Sequence, residues 1–238
     1  MKQIKVDAVI PKRSQEERKP RDKTPSFLPP QFSAVSIVSP RRCGKTNLIV
    51  WMLFKGGMLK AYKRAAIFTP SALTDPVWSA LESNKKVWFS DVVSDSKLKQ
   101  VMELQQELAR QSSKNTLLLV LDDFGSVIRA SSKKNGEGFQ KTLDTLYSRA
   151  RHIYTTIICT SQFYSHFSPC ARLNTTHFIA FRLAKQEWEK VYVDFGLHLT
   201  KEEFVKMMQG FTKDKYEFAM IDLNTSDDGK VFHQGFVE

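Results

Sequence analysis

The sequence predicts an α/β fold in which a mostly parallel sheet carries helices on both faces. Short apolar segments typical of buried strands alternate along the chain with segments whose apolar residues recur at helical spacing. Moreover, Thr116–Leu121 and Tyr154–Thr160 are apolar or β-branched almost throughout, as expected of central strands that are covered on both sides. No internal repeat interrupts this alternation.

The predicted elements follow one another from residue 33 to residue 237. The expected strands are Ser33–Val38, Arg64–Thr69, Val87–Phe89, Thr116–Leu121, Tyr154–Thr160 and His177–Leu183. The expected helices are Asn47–Lys55, Asp95–Gln111, Phe139–Tyr147, Trp188–Phe195 and Lys201–Met208, with a polar loop at Ser131–Gly138. A closing strand pair, Tyr216–Leu223 and Lys230–Val237, is expected around the Asp-Asp-Gly turn at 227–229.

The charge of the chain indicates an anionic partner. Its 238 residues include 36 Lys and Arg against 25 Asp and Glu, which gives a net charge of +11. Nucleic acid is the first candidate for such a partner and a membrane surface the second, while a basic surface that serves only solubility is the alternative. Three cysteines without metal-like spacing favour a reducing compartment. With no signal sequence and no span of membrane length, we expect a soluble intracellular protein.

Two regions are expected. Residues 1–30 form a basic, proline-punctuated N-terminal arm that has too little apolar surface to fold, and residues 31–238 form the α/β domain. The arm could contact DNA or a partner, act as a nuclear-import patch, or be an ordinary disordered tail. Within the domain, the C-terminal part 184–238 carries no motif that assigns it a role.

The first motif is a phosphate-binding loop. Segment 39–46, Ser-Pro-Arg-Arg-Cys-Gly-Lys-Thr, matches the last three positions of the pattern G-x-x-x-x-G-K-[ST], but Ser39 replaces the first glycine. Backbone N–H groups and a helix start would bind phosphates, Lys45 would neutralise the β- and γ-phosphates, and Thr46 would offer its hydroxyl to Mg²⁺. The residues expected to contact nucleotide are Ser39, Pro40, Arg41, Arg42, Cys43, Gly44, Lys45, Thr46 and Asn47.

The second motif is a pair of carboxylates after an apolar strand, at Asp122 and Asp123. We expect Asp122 to help hold Mg²⁺ and Asp123 to polarise the attacking water as general base. A turn or helix-cap residue is the alternative for Asp123. Together with the phosphate loop, this pair predicts a nucleoside triphosphatase, and the lack of an Asn-Lys-x-Asp guanine-reading motif favours ATP.

A glutamine, Gln162, follows the apolar strand 155–161. Ligands of α/β sheets bind at the carboxyl ends of strands, so Gln162 is expected to hold the attacking water or to sense the γ-phosphate. Taken alone, it would more simply be a turn residue. The first two motifs favour the sensor role.

A glutamine, Gln162, on a strand that follows the Asp122–Asp123 pair resembles the pattern of the FtsK/HerA superfamily of DNA-pumping ATPases. Within it, the chain is similar to the genome-packaging ATPases of poxviruses and related large DNA viruses, virophages and Polinton-type elements. The resemblance covers roughly residues 33–183. Its segments are 67–70 (Ile-Phe-Thr-Pro), 121–125 (Leu-Asp-Asp-Phe-Gly), 151–152 (Arg-His), 160–162 (Thr-Ser-Gln) and 172–178 (Arg-Leu-Asn-Thr-Thr-His-Phe).

The resemblance implies a RecA/ASCE-like P-loop ATPase that binds ATP and Mg²⁺. It implies a homo-oligomeric ring, a hexamer, which moves double-stranded DNA into a preformed capsid. The implied protein partners are capsid or portal-vertex proteins. The implied location is the virus assembly site in the cytoplasm or nucleus, or the virion. It further implies that the Gln162 strand lies between the phosphate-loop strand and the Asp122 strand. Arg151 or Arg172 would reach the γ-phosphate held by a neighbouring subunit.

Three alternatives remain open. The first is a helicase or recombination ATPase of the same superfamily. The second is a scaffold that binds nucleotide without hydrolysis, which the serine at position 39 keeps open. Asp123 stands where many members of the superfamily have Glu, but the poxvirus-type lineage is similar to this chain in having Asp, so hydrolysis is still expected. The third, a membrane-surface role, lacks a basic amphipathic helix.

Overall fold

An eight-stranded sheet forms the centre of the molecule. The computed structural model describes residues 23–72, 74–125, 127–128, 136–225, 227 and 230–236. The strand order is β3-β2-β4-β5-β1-β6-β7-β8, in which β1 to β6 run parallel and β7 and β8 are antiparallel additions. The strands are β1 (Ala34–Val38), β2 (Arg64–Phe68), β3 (Val87–Ser90), β4 (Leu117–Leu121), β5 (Thr155–Ser161), β6 (His177–Phe181), β7 (Phe218–Asp222) and β8 (Phe232–Gln234).

Helices connect the strands and cover both faces of the sheet, as the sequence predicts. The helices are α1 (Lys45–Leu53), α2 (Ser79–Glu82), α3 (Asp95–Gln111), α4 (Gly136–Arg149), α5 (Pro169–Leu173), α6 (Lys185–Phe195) and α7 (Lys201–Phe211). The first helix begins two residues before the expected Asn47, because the Gly-Lys-Thr motif itself enters the helix. In the same way α4 begins inside the expected loop 131–138, of which residues 131–135 lie outside the described residues.

The alternation of side chains along each strand produces two apolar layers. In β4, Leu117, Leu119 and Leu121 face the layer that contains α4, α6 and α7, while Leu118 and Val120 face the layer beneath α1. All five are at most 6% exposed. A fully buried leucine contributes about 1.5–3 kcal/mol, so such a strand is held firmly from both sides.

The position of β5 decides which loops meet. It lies between β1 and β4, in the register Val38↔Ser161 and Leu121↔Cys159. This confirms the strand position that the resemblance implies. Because these three strands are parallel, the phosphate loop, Asp122 and Gln162 follow them at the same edge of the sheet.

The chain joins the core before residue 31. Leu28 is 4% exposed within the layer beneath α1, and Phe27 packs against the same layer and against Trp51, with ring centroids 6.1 Å apart. The arm predicted for residues 1–30 therefore ends earlier, by Phe27. Residues 1–22, with Lys19 and Arg21, lie outside the described residues.

The C-terminal part completes the same sheet. Helix α7 starts with a capping box, in which the Thr200 side chain and Glu203 satisfy each other's backbone N–H groups. Strand β7 then pairs with β6 in the register Phe181↔Phe218, so that the start of β7 lies at the carboxyl end of β6. No helix in the described ranges is both long and apolar enough to cross a bilayer.

Candidate functional site

The phosphate loop connects the buried strand β1 to helix α1. Gly44 precedes the helix with φ 99°, a left-handed conformation that glycine adopts without steric cost. A Cβ atom at this position would lie 3.0 Å from a ring carbon of Tyr216, so close packing also excludes a side chain. Arg42 is the other loop residue with positive φ, at 61°. Position 44 therefore has both a backbone conformation and a close contact that favour glycine.

Ser39 fits the loop without the first glycine. Its φ is not positive, and its backbone N–H donates to the Ser161 carbonyl at 3.0 Å. The side chain is completely buried, and its hydroxyl donates to the Pro40 carbonyl at 3.0 Å. A serine therefore satisfies this position, and the departure from the motif does not distort the loop.

The start of α1 is free to bind an anion. Gly44 supplies no side-chain cap, so the first N–H groups of the helix retain their hydrogen-bonding capacity for phosphate oxygens. Lys45 lies in the first turn with its side chain only 11% exposed. Thr46 and Cys43 are half-buried, whereas Pro40, Arg41, Arg42 and Asn47 are exposed.

Asp122 is a buried carboxylate directly after β4. It is 3% exposed and accepts hydrogen bonds from the Thr160 hydroxyl at 2.7 Å and the Thr69 hydroxyl at 3.1 Å. Burial raises the pKa of Asp122, against the lowering influence of Thr160 and of the nearby Lys45 ammonium. A cation bound beside this buried carboxylate would stabilise its ionised form.

Asp123 points to the phosphate loop and the sensor strand. Its carboxylate accepts from the Gln162 amide at 3.1 and 3.2 Å and lies 3.8 Å from the Lys45 ammonium. Its backbone N–H donates to the Thr160 hydroxyl at 2.9 Å, and its φ of 51° is left-handed. A non-glycine residue held in this conformation costs about 1–3 kcal/mol, which the surrounding contacts must offset. Four predicted residues, Lys45, Asp122, Asp123 and Gln162, are thus brought together.

The donor set suits magnesium that arrives with a nucleotide. No group of three or more His, Cys, Asp or Glu that could hold a metal occurs in the described part of the chain. Mg²⁺ prefers oxygen ligands and is commonly held by one or two protein groups together with substrate phosphates and water. The Asp122 carboxylate and the Thr46 hydroxyl are groups of this kind, so the residues fit.

The two candidate arginines lie at the opposite edge of the sheet. Arg151 belongs to a 3₁₀ turn before β5, and Arg172 to α5 before β6. Both line one cleft of about 440 Å³. Strand β5, with seven residues of about 3.3 Å each, separates Arg151 from Gln162 by about 20 Å. Arg151 therefore lies too far away to serve the site of its own subunit.

The environments of these arginines differ. Arg172 donates to Asp194 at 2.6 Å, its guanidinium lies 5.2 Å from the Tyr164 ring centroid, and its side chain is 25% exposed. The Tyr164 hydroxyl donates to the same Asp194 carboxylate at 2.7 Å. Arg151 is exposed, and within the described chain it makes no ion pair, only a 3.5 Å contact with the His152 ring. Of these two arginines, Arg151 is the one whose exposed side chain has no ion pair among the described residues.

Several site residues escaped the sequence analysis. Thr160 bridges both aspartates, a role that the alternation of β5 could have indicated. His166 hydrogen-bonds the Ser161 hydroxyl at 2.6 Å, and its ring fills the space beside Gly125, where a Cβ would lie 2.1 Å from Nδ1. Tyr216, over the phosphate loop, carries no sequence signal.

The sheet order and the site define a class. A parallel sheet with β5 between β1 and β4, a phosphate loop after β1 and two aspartates after β4 constitute a RecA/ASCE-like P-loop ATPase. A profile of the family described as poxvirus A32 protein matches residues 27–228. The chain belongs to this family, which confirms the resemblance to viral DNA-packaging ATPases. The match also includes most of the C-terminal part, where the sequence analysis found no similarity.

Solved structures share the fold at low sequence identity. The genome packaging NTPase B204 of Sulfolobus turreted icosahedral virus 2, in complex with AMP, is 17% identical, with a TM-score of 0.58 over 85% of this chain and 96% of B204. The pCW3 conjugation coupling protein TcpA with ATPgS is 15% identical, with a TM-score of 0.60 over 86% and 60% of the two chains.

The type VII secretion ATPase EccC of Thermomonospora curvata is also similar. It is 12% identical, with a TM-score of 0.59 over 87% of this chain and 25% of its cytoplasmic domain. No curated protein sequence matches the chain.

Proposed function

We propose that this chain is the ATP-driven motor that moves a viral double-stranded DNA genome into its capsid. The observation that carries the proposal is the convergence of Lys45, Asp122, Asp123 and Gln162 at the carboxyl ends of β1, β4 and β5. This is the arrangement required to bind a triphosphate and to position a water for attack on it. Membership of the poxvirus A32 protein family supports the coupling to packaging.

ATP binding would begin at the phosphate loop. Backbone N–H groups of 39–46 and the start of α1 would accept the phosphates, with Lys45 neutralising their charge. Thr46 and Asp122 would hold Mg²⁺, which supplies charge neutralisation at the γ-phosphate. Burial raises the pKa of Asp122, and a cation bound beside it would favour the ionised carboxylate.

Hydrolysis would depend on Asp123 and Gln162. Asp123 lies 3.8 Å from the Lys45 ammonium and accepts a hydrogen bond from the Gln162 amide at 3.1 Å. Phosphate oxygens compete for the Lys45 ammonium, so ATP binding releases the carboxylate to accept a proton from water. The Gln162 amide, held beside it, would orient that water. The same contact places Gln162 to respond when the γ-phosphate leaves.

A neighbouring subunit would complete the site. The ATP site and Arg151 lie at opposite edges of one sheet, as a head-to-tail interface that closes into a ring requires. We assign Arg151 as the residue that acts on the neighbour, because Arg172 is held by Asp194 and Tyr164. Its permanently charged, planar guanidinium matches phosphate oxygens. Ring size is proposed as six, from the family resemblance.

DNA would be gripped through its phosphates. The net charge of +11 provides a sequence-independent attraction that falls with salt. From their charge, the residues proposed to contact DNA are Lys133 and Lys134 in the polar loop and Lys19, Arg21 and Lys23 in the N-terminal arm. Lys23 is exposed, and the other four lie outside the described residues. Capsid or portal-vertex proteins would be further partners, and the virus assembly site, in cytoplasm or nucleus, the place of action.

The decisive test is ATP hydrolysis with Mg²⁺, with and without double-stranded DNA. We expect stimulation by DNA in the wild-type chain and its loss in Lys45→Ala, which removes the charge from the phosphate loop. Lys55→Ala, an exposed lysine just beyond the same helix, is the matched control and should remain active. Thermal unfolding of each variant verifies the fold.

Other outcomes separate the alternatives. Nucleotide binding without hydrolysis under any condition, including assembled rings with DNA, would identify a non-hydrolysing scaffold. Strand separation by the purified chain in the absence of capsids would favour a helicase. Equal rates of ATP hydrolysis by wild type and Lys45→Ala would contradict the assignment of the ATP site to this phosphate loop.

A further inference from the structure

A C-terminal loop lies over the phosphate loop. Residues 212–217 connect α7 to β7, and within them Tyr216 places its ring against Gly44, so that a Cβ on Gly44 would lie 3.0 and 3.8 Å from two ring carbons. The Tyr216 side chain is nevertheless 56% exposed. An aromatic ring that touches the phosphate loop and still faces solvent has a surface available to a planar ligand.

The backbone holds this ring at an energetic cost. Tyr216 has φ 74°, in the left-handed region that bulky residues seldom adopt. Such strain persists where the surrounding structure imposes it, and it concentrates at functional sites. Lys215 contributes to the arrangement, with its ammonium 4.8 Å from the centroid of the Tyr216 ring. Its hydrogen bond and charge interaction with Tyr216 raise the pKa of Lys215.

The site itself defines the direction in which a nucleotide must lie. Its γ-phosphate end belongs beside Asp123 and Gln162, which follow β4 and β5 on one side of β1. The sugar and base must therefore leave the phosphate loop on the other side, towards β6 and β7. Tyr216 lies on that side, because the pairing Phe181↔Phe218 brings the start of β7 to the carboxyl end of β6.

We propose that the Tyr216 ring stacks on the base of the bound nucleoside triphosphate and provides the base half of the site. The inference rests on the proposed function, since it uses the same phosphate loop. Stacking on an aromatic ring is available to every base, and the wider faces of purines gain most from it. The C-terminal part of the domain thereby contributes directly to nucleotide binding.

The test compares a nucleotide with its phosphates alone. Binding of AMPPCP and of inorganic tripolyphosphate, both with Mg²⁺, is measured by calorimetry on the full chain and on Tyr216→Ala, Tyr216→Leu and Tyr216→Phe. Loss of base stacking should weaken AMPPCP binding about 5- to 150-fold in Tyr216→Ala. Tripolyphosphate, which has no base, should bind all variants alike.

The conservative variants refine this expectation. Tyr216→Phe keeps the ring and should bind AMPPCP like the wild type, whereas Tyr216→Leu keeps bulk against Gly44 without an aromatic face and should bind it weakly. In steady-state hydrolysis, the KM for ATP should rise in Tyr216→Ala while kcat changes little, since the catalytic groups are untouched.

Two results would overturn the inference. Equal weakening of AMPPCP and tripolyphosphate in Tyr216→Ala would show that the ring only shapes the phosphate loop. Wild-type chain that binds AMPPCP no more tightly than tripolyphosphate would show that no base contact exists, without affecting the proposed motor. Conversely, an intact Tyr216 effect in a chain that never hydrolyses ATP would refute the motor and leave the base contact standing.

Discussion

Arg151 and Arg172 line the same cleft, and substituting each by alanine tests the roles that their contacts indicate. Arg172→Ala removes a charge-assisted hydrogen bond to Asp194, about 1.5–3 kcal/mol, and a cation–π contact with Tyr164, about 0.5–2 kcal/mol. Both ion-pair partners are at most 25% exposed, so solvent screens the pair only partly. We expect a loss of about 2–5 kcal/mol and, at about 2–4 °C per kcal/mol, a Tm lower by about 4–20 °C.

Arg151→Ala should behave in the opposite way. Its side chain is exposed and makes no ion pair in the described chain, so Tm should not change. Hydrolysis by assembled protein with DNA should fall by about 10³–10⁵, the range known for arginines that complete a phosphoryl-transfer site from a neighbour. Arg149→Ala, an exposed arginine two residues earlier, is the matched control and should remain active.

A mixing assay shows whether Arg151 acts in trans. Arg151→Ala keeps a complete phosphate loop, and Lys45→Ala keeps a complete arginine, so each variant alone should be inactive. In mixed assemblies, some Arg151→Ala sites will face the intact Arg151 of a Lys45→Ala neighbour, and part of the activity should return. No recovery in rings shown to contain both subunits, or a normal rate for Arg151→Ala alone, would refute the assignment.

Two further predictions concern a buried histidine and the cysteines. Burial lowers the pKa of His177 from 6.5 to about 4, against the opposing effect of Asp222, so the unfolded chain binds a proton between these values that the folded chain does not. The free energy of unfolding should thus fall by up to about 3 kcal/mol from pH 6.5 to 4. Denaturant titrations at several pH values should show a weaker pH dependence of this free energy for His177→Gln. The same pH dependence in this variant as in the wild type would refute the prediction. N-ethylmaleimide should inactivate the enzyme by modifying the half-buried Cys43, and bound nucleotide should protect it. The other two cysteines should react slowly, because burial raises the pKa of Cys159 to about 12 and also raises that of Cys170, and only the thiolate reacts. Equal inactivation of Cys43→Ala would contradict this assignment.

The parts of the site that follow strands could be predicted from sequence. An apolar run that ends in two aspartates locates Asp122 and Asp123 at the edge of the sheet, and a second run that ends in glutamine locates Gln162 beside them. Parallel strands bring their carboxyl ends to one edge, so spacing and periodicity suffice for these residues. Whether a serine can replace the first glycine of the phosphate loop depends on the backbone angles at Ser39, which the pattern of residue types does not give.

The remaining features depend on contacts between distant segments. Tyr216 is 172 residues from Gly44 in sequence, and only the antiparallel return of β7 along β6 brings the two together. The distinction between Arg151 and Arg172 depends on Asp194, a residue of α6 whose contact no local pattern reveals. The early end of the N-terminal arm likewise depends on the burial of Leu28, since its flanking prolines and charges suggest a tail.

Strand β5 has a mechanical consequence. Its seven residues are all buried, Arg151 belongs to the 3₁₀ turn that precedes it, and Gln162 directly follows its last residue. An extended strand hydrogen-bonded on both sides hardly stretches, so a displacement of one end along its axis is transmitted to the other. In a ring, the Gln162 end of β5 would respond to the ATP of its own subunit, and the strand would then shift the arginine that contacts the next subunit. The order in which subunits hydrolyse ATP would thus depend on a strand about 20 Å long.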